Sequence, residues 1–250
     1  MLKTWLAVLS AALALALPSD SCSAGGHQPP NLPQSDGAAS LPQPPPSSKL
    51  LYIALGFGIQ NYTCRTAGAT PTSTGALAML YDITKLYPGH GKHSLSQTAW
   101  DALTSRALRT HDVPLNFNSS AAGRGDPRIR RASQTDPFPP DSPLHLSGLK
   151  PLHFLGHHLF TPAGVPDFVL KRGAVNLLAK KLAAVDAPRS ADKGPDGTGA
   201  VPWLQLGAKD GSVGHVKYVY RVLTAGGASH GCSGQGDDGT SYTAMYWFFG

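Results

Sequence analysis

Bulky apolar residues occupy every second position in two stretches near the carboxyl end of this 250-residue chain. Val216, Tyr218, Tyr220 and Val222 recur through residues 215–223, and Tyr242, Ala244, Tyr246 and Phe248 through residues 242–248. A period of two marks extended backbone with one buried face, because successive side chains on a strand point to opposite sides. Strands must find partners, so this pattern constrains the fold more than any other. Further strand signals lie upstream. Residues 50–55 form a continuous apolar run bounded by Gly56 and Gly58, and residues 76–85 set Leu77, Met79, Tyr81 and Ile83 on one face. Residues 152–161 and 166–171 read as a pair joined by Pro162-Ala163-Gly164, and 201–206 is short and apolar. Between 94 and 108 the spacing changes. Leu95, Ala99, Ala102, Leu103 and Leu108 approach a helical period, with Ser94 or Ser96 available as a cap. Residues 174–185, with Leu177, Leu178, Lys180, Lys181 and several alanines, favour helix by local propensity. The sum is a mainly β fold: a single-domain antiparallel sandwich or barrel with one or two short helices and long loops.

The amino-terminal segment predicts export. Lys3 is followed by an apolar run over residues 5–17, broken only by Ser10, and then by small residues and Pro18. That is the pattern of a secretory signal peptide spanning 1–24, with cleavage as early as residue 16. The run stops short of the roughly 20 apolar residues a spanning helix needs. A secreted mature chain without a membrane span is therefore expected. Residues 25–48, rich in Pro, Gln, Ser and Gly, predict a disordered arm. Residues 49–250 then form the folded domain, interrupted by a long polar loop at 116–147.

An oxidising compartment pairs cysteines. Of the three, Cys22 is lost if cleavage follows Ala24, which leaves a Cys64–Cys232 disulfide. Two sequons, at Asn61 and Asn118, are candidate glycosylation sites. Arg128-Ile129-Arg130-Arg131 resembles a processing site cut after Arg131 by secretory-pathway proteases, against the plainer reading of an uncut basic loop. The formal charge of +6 is modest and partly confined to that loop. No aromatic-rich nucleic-acid motif accompanies it, so nucleic acid is not an expected partner.

Several segments together carry a resemblance. They are the run from Tyr52 through Gly56-Phe57-Gly58-Ile59-Gln60-Asn61-Tyr62-Thr63-Cys64, then Gly156-His157-His158-Leu159-Phe160, then Val201-Pro202-Trp203-Leu204. Tyr220-Arg221-Val222-Leu223 with Cys232, and the closing Tyr242-Thr243-Ala244-Met245-Tyr246-Trp247-Phe248, complete the set. The chain resembles a family of secreted proteins of unknown function from filamentous fungi and bacteria, whose members are often labelled malate dehydrogenase. The resemblance supports the Cys64–Cys232 pairing and implies that residues 174–185 are a strand, against local propensity. It brings no activity with it. The dehydrogenase label fails on the residues: Gly56-Phe57-Gly58 lacks the third glycine of a dinucleotide fingerprint, and no βαβ alternation follows.

Three kinds of chemistry remain to be weighed. His153, His157 and His158 are the densest titratable cluster. On an unbroken strand His153 and His157 would share a face, a candidate divalent-metal site if a third ligand arrived from elsewhere. No nucleophile elbow and no distinguished carboxylate pair is present. Trp203, beside Pro202, is a candidate ring for stacking on a sugar. No cofactor is predicted, although a divalent metal is compatible with the histidines. The expectation is a non-enzymatic extracellular or cell-wall-associated binding protein whose partner is wall polysaccharide or a host surface. The alternative is a metal-assisted extracellular enzyme using the His153/His157 region.

Overall fold

The computed structural model describes residues 30–35, 39–117, 132–133 and 135–250. Eight strands form a closed antiparallel barrel in simple up-and-down order: β1 (Leu50–Cys64), β2 (Thr72–Asp82), β3 (Phe154–Phe160), β4 (Pro166–Leu170), β5 (Val175–Val185), β6 (Trp203–Ala208), β7 (Tyr218–Gly226) and β8 (Gly236–Phe249). Each strand pairs with the next, and β8 pairs back onto β1 from Leu50 opposite Phe249 to Cys64 opposite Gly236. The ladder continues past the strand ends through Lys49 and Gly250, which exchange N–H···O bonds of 2.8 and 3.0 Å. Closure leaves no sheet edge to be covered.

Both faces of β1, β2 and β8 are buried, and they face different layers. Inward, Ala54, Ala78, Leu80, Leu170, Val219 and Phe248 pack inside the barrel. Outward, Ile53, Leu55, Phe57, Met79, Met245 and Trp247 meet a second layer. That layer contains α1 (Gln97–Asp101) and α2 (Leu103–Thr110). Ser96 caps α1 by accepting from the Ala99 N–H at 3.3 Å. Helices this short draw their stability from packing rather than from propensity. Trp100 meets Trp247 edge-on at 6.3 Å, and Tyr87 stands edge-on to both rings. Asp192 fastens the layer by accepting from Arg109, Ser105 and the Gly194 N–H.

Several expectations change here. β1 runs straight through Gly56 and Gly58 instead of stopping at them. A Cβ at Gly56 would collide with the Tyr246 ring, and one at Gly58 with the Leu77 carbonyl, so these glycines admit close neighbours within a strand. Val175–Val185 is strand, as the resemblance implied for 174–185, with β4 and β6 on either side. The proline-rich arm is not free of the body: Leu32 and Leu41 are buried in the outer layer, and the Asn31 N–H donates to the Tyr87 hydroxyl at 3.1 Å. Two leucines spaced along a polar stretch anchor it, and average composition hides them. The long polar loop is tied at its base by an isolated bridge between Phe117 and Ala132, and Leu144 and Leu146 beyond it are buried.

Cys64, at the end of β1, forms a disulfide with Cys232, in the connection leading to β8, with Cα atoms 5.4 Å apart. It closes a loop spanning 168 positions. The chain-entropy account gives such a cross-link up to roughly 5 kcal/mol. Reduction, or Cys64→Ala, is therefore expected to lower the urea midpoint by several tenths of a molar or more. An unchanged midpoint would contradict a stabilising role.

Candidate functional site

The barrel interior is filled at one end and open at the other. Leu80, Leu170, Val219 and Phe248 close the end where β1 begins and β8 finishes. At the opposite end lies a cavity of about 420 Å³. Eight strands enclose a space that side chains can just fill, or that can hold one small ligand. Here both occur, at opposite ends.

The cavity walls are apolar: Phe160, Phe168, Val201, Leu204 and Leu206 line them. Polar side chains line it as well. Arg221 on β7 is only 8% exposed. Its Nε and Nη2 donate to the Pro202 carbonyl at 3.1 and 2.9 Å, and Nη1 donates to Gln60 Oε1 at 3.3 Å. Gln60 is itself oriented by donating through Nε2 to Ser73 Oγ and the Gly75 carbonyl. Tyr246 stands across the β7–β8 ladder from Arg221 and shares a 2.9 Å hydroxyl contact with Tyr242. Burial raises the Tyr246 pKa, with the guanidinium opposing it. Among the described residues, the close contacts between basic side chains and carboxylates are Arg109–Asp192, His157–Asp141 and His230–Asp238, and none involves Arg221. Buried charges are ordinarily paired, so a buried guanidinium held by neutral partners alone is unusual.

His158 also lines the cavity and lies flat on Phe168, ring centroids 4.1 Å apart and planes 4° from parallel. Its Nδ1 is 2.9 Å from the Asp167 carbonyl oxygen, which can only accept, so Nδ1 carries the proton. Burial pulls its pKa down to about 4, with Arg221 adding to the shift and the bond to Asp167 opposing it. At neutral pH the ring is therefore uncharged.

The three candidate histidines do not converge. A bulge where Gly156 pairs with Leu80 but Phe154 pairs with Tyr81 breaks the two-residue alternation between His153 and His157. His153 is exposed ahead of β3, in a depression with Asp82, Asp141 and Lys171. His157 faces outward against Phe138 and Phe154, 3.7 Å from Asp141, too far for a hydrogen bond. Among the described residues, no group of three or more His, Cys, Asp or Glu side chains is placed to hold a metal ion. Trp203 is 2% exposed and turned to the outer layer, so its ring is not offered to a sugar at the surface. Alternation on β6 sends Leu204 and Leu206 inward and Trp203 outward, under the covering helices. Asn61 is half-buried on β1, whereas Asn118, Arg130 and Arg131 lie outside the described residues. Gly56-Phe57-Gly58 sits mid-strand, with no helix amino terminus to receive a pyrophosphate.

Residues 44–250 match the family described as "Protein of unknown function (DUF3455)". The chain belongs to that family. No curated protein and no solved structure matches it, so membership carries a fold-length relationship and no activity. The cavity in this family member is therefore read from its residues alone.

One more arrangement was missed from the sequence. Asp238 accepts from Ser229 Oγ, the His230 N–H and His230 Nδ1, all within 2.9 Å, beside the disulfide. The serine donates to the carboxylate and not to the imidazole, so the cluster braces a loop and does not activate a nucleophile.

His158 gives the site a pH signature. The unfolded chain protonates this ring below about pH 6.5, whereas the folded protein does so only near pH 4. Between those values the unfolded state binds more protons, so stability falls as pH is lowered, by at most ~1.4 kcal/mol per unit. His158→Gln is expected to flatten the urea-midpoint profile between pH 6.5 and 4. Parallel profiles for the two proteins would show that His158 is not buried uncharged.

Proposed function

We propose that this is an exported, non-enzymatic binding protein that receives a small organic molecule in the open mouth of its barrel. One observation carries the reading: an apolar-walled cavity of about 420 Å³ lined also by a few converging polar groups. Small-molecule sites have this character and fall within this size range. The rigid ladder around the mouth supports a preformed site, since Arg221, Leu204 and Gln60 all stand on paired strands. The extracellular or wall-associated setting rests on the amino-terminal signal pattern and fits the Cys64–Cys232 disulfide. The metal-assisted alternative lacks a third ligand beside His153 or His157 among the described residues. A wall polysaccharide lying across the surface would need a contact other than the buried Trp203.

Leu204 lines the mouth and is only half-buried, so a larger ring there has room to lie across the opening. Protein-detected NMR with a set of small apolar and amphipathic fragments is expected to move resonances of Val201, Leu204 and Leu206 together. Leu204→Trp should weaken that binding about tenfold or more while keeping the wild-type fold. Shifts scattered over the surface, or fragments indifferent to Leu204→Trp, would contradict the assignment of the mouth.

A further inference from the structure

Arg221 narrows the chemistry of what the mouth accepts. It is a cation more than nine-tenths buried, lining a cavity, with a carbonyl, an amide and a tyrosine hydroxyl as neighbours. Three of its five N–H donors are taken by Pro202 and Gln60, and the guanidinium also hydrogen-bonds the Tyr246 hydroxyl. The plain structural reading makes it a clamp between β7, the Pro202 carbonyl and β1. A neutral side chain would serve that purpose without the cost of burying a charge, and Gln60 already does so on the next strand but one. What a guanidinium adds is a fixed positive charge with planar donors.

The other groups around the cavity limit the size of the opposing charge. His158 is held uncharged by burial, and its Nδ1 proton is committed to the Asp167 carbonyl. Lys181 is the other cation lining the cavity, and it stands at the exposed rim. One buried cation is balanced by one negative charge, and a dianion such as a phosphate monoester would carry a second into apolar walls. Around it, Phe160, Phe168, Leu204 and Leu206 present aromatic and branched aliphatic surface.

Building on the reading of the mouth as a binding site, we infer that its ligand is an apolar monocarboxylate, with the carboxylate seated on Arg221 and the hydrocarbon body against Phe168, Leu204 and Leu206. Tyr246 borders the carboxylate position, and Lys181 contributes long-range attraction at the entrance. Charge-assisted hydrogen bonds in a desolvated site are the strong ones, so the acid should bind far better than a neutral isostere.

The test is calorimetric titration of the intact, disulfide-bonded protein at pH 7 with two matched pairs: 3-phenylpropanoate and its primary amide, octanoate and its primary amide. The acids are expected to bind about 10–100-fold more tightly than their amides. Arg221→Gln should erase that preference while leaving amide affinity within about twofold. Lys181→Gln should keep most of it. Equal binding of acid and amide by the wild type would overturn the carboxylate inference and leave the mouth intact as a site for neutral molecules. Binding of none of the four compounds would overturn the inference and count against the mouth itself. Loss of the preference in Lys181→Gln would transfer the role from Arg221 to the rim. If Arg221→Gln does not fold, the wild-type pairs and Lys181→Gln decide the matter, because Arg221 and Lys181 are the two Arg or Lys side chains among the described lining residues.

Discussion

Pairing of β1 with β8 holds the molecule together, because it joins the first strand to the last and turns a meander into a ring. The pairing spans Leu50 to Cys64 on one strand and Gly236 to Phe249 on the other. Over much of their length those strands then have a paired neighbour on both sides, and the ring of strands is closed. Closure also creates two kinds of buried surface from one strand. The outward residues of β1, β7 and β8 need the helical layer to cover them, and that layer holds Trp100, Leu103 and Leu108 against Trp247 and Met245. The inward residues have only each other, and their sizes determine where the barrel is solid and where it is hollow. The disulfide sits at the end of this same seam, next to the Cys64–Gly236 pair.

Size matching across the lumen explains the asymmetry of its ends. Glycine and alanine at positions 54, 56, 58, 76, 78 and 244 give way to the large rings of Phe168, Tyr242, Tyr246 and Phe248. Where those rings meet, the interior is packed. Towards the end of β1 the large side chains thin out, and Gln60, Arg221 and Lys181 replace them. Polar groups on a lumen face are costly unless something satisfies them. Carbonyls and amides satisfy Arg221 in geometry but not in charge, and that imbalance is the strongest chemical statement the barrel makes.

Much of the fold was legible from strand periodicity. The alternation in residues 215–223 and 242–248, the turn at 162–164 and the capped helix near Ser96 all lead to the observed elements. The strand over 174–185 was not legible locally. It lies between β4 and β6 with Leu177 and Ala179 buried, but Lys180, Lys181 and Leu182 are exposed and a bulge between Lys181 and Ala183 shifts the register, so no clean alternation survives in the sequence. The site was less visible than the fold for a related reason. Val216, Tyr218, Tyr220 and Val222 look like the buried face, which makes Arg221 look like a solvent-facing residue. In a closed barrel the opposite face of β7 is the lumen, and Val219 and Arg221 point there. The same inversion hides Gln60, and it separates His158 from His157, since neighbouring positions belong to different layers. Trp203 misleads in the other direction: on a strand its ring faces the helical cover, while its plainer neighbours Leu204 and Leu206 line the cavity. A signal that reads correctly is a lone cation or amide on the face opposite a strong aromatic stripe, repeated on strands that close on one another.

Arg221 is a buried guanidinium that none of the described carboxylate contacts reaches. The most direct measurement is a crystal structure of the intact protein grown with 3-phenylpropanoate, at a resolution that places the Arg221 side chain. The account predicts the carboxylate on Arg221, the phenyl ring against Phe168 and Leu204, and the Pro202 and Gln60 contacts retained. A protein carboxylate within 4 Å of Arg221, with the mouth filled by water or side chains, would contradict it.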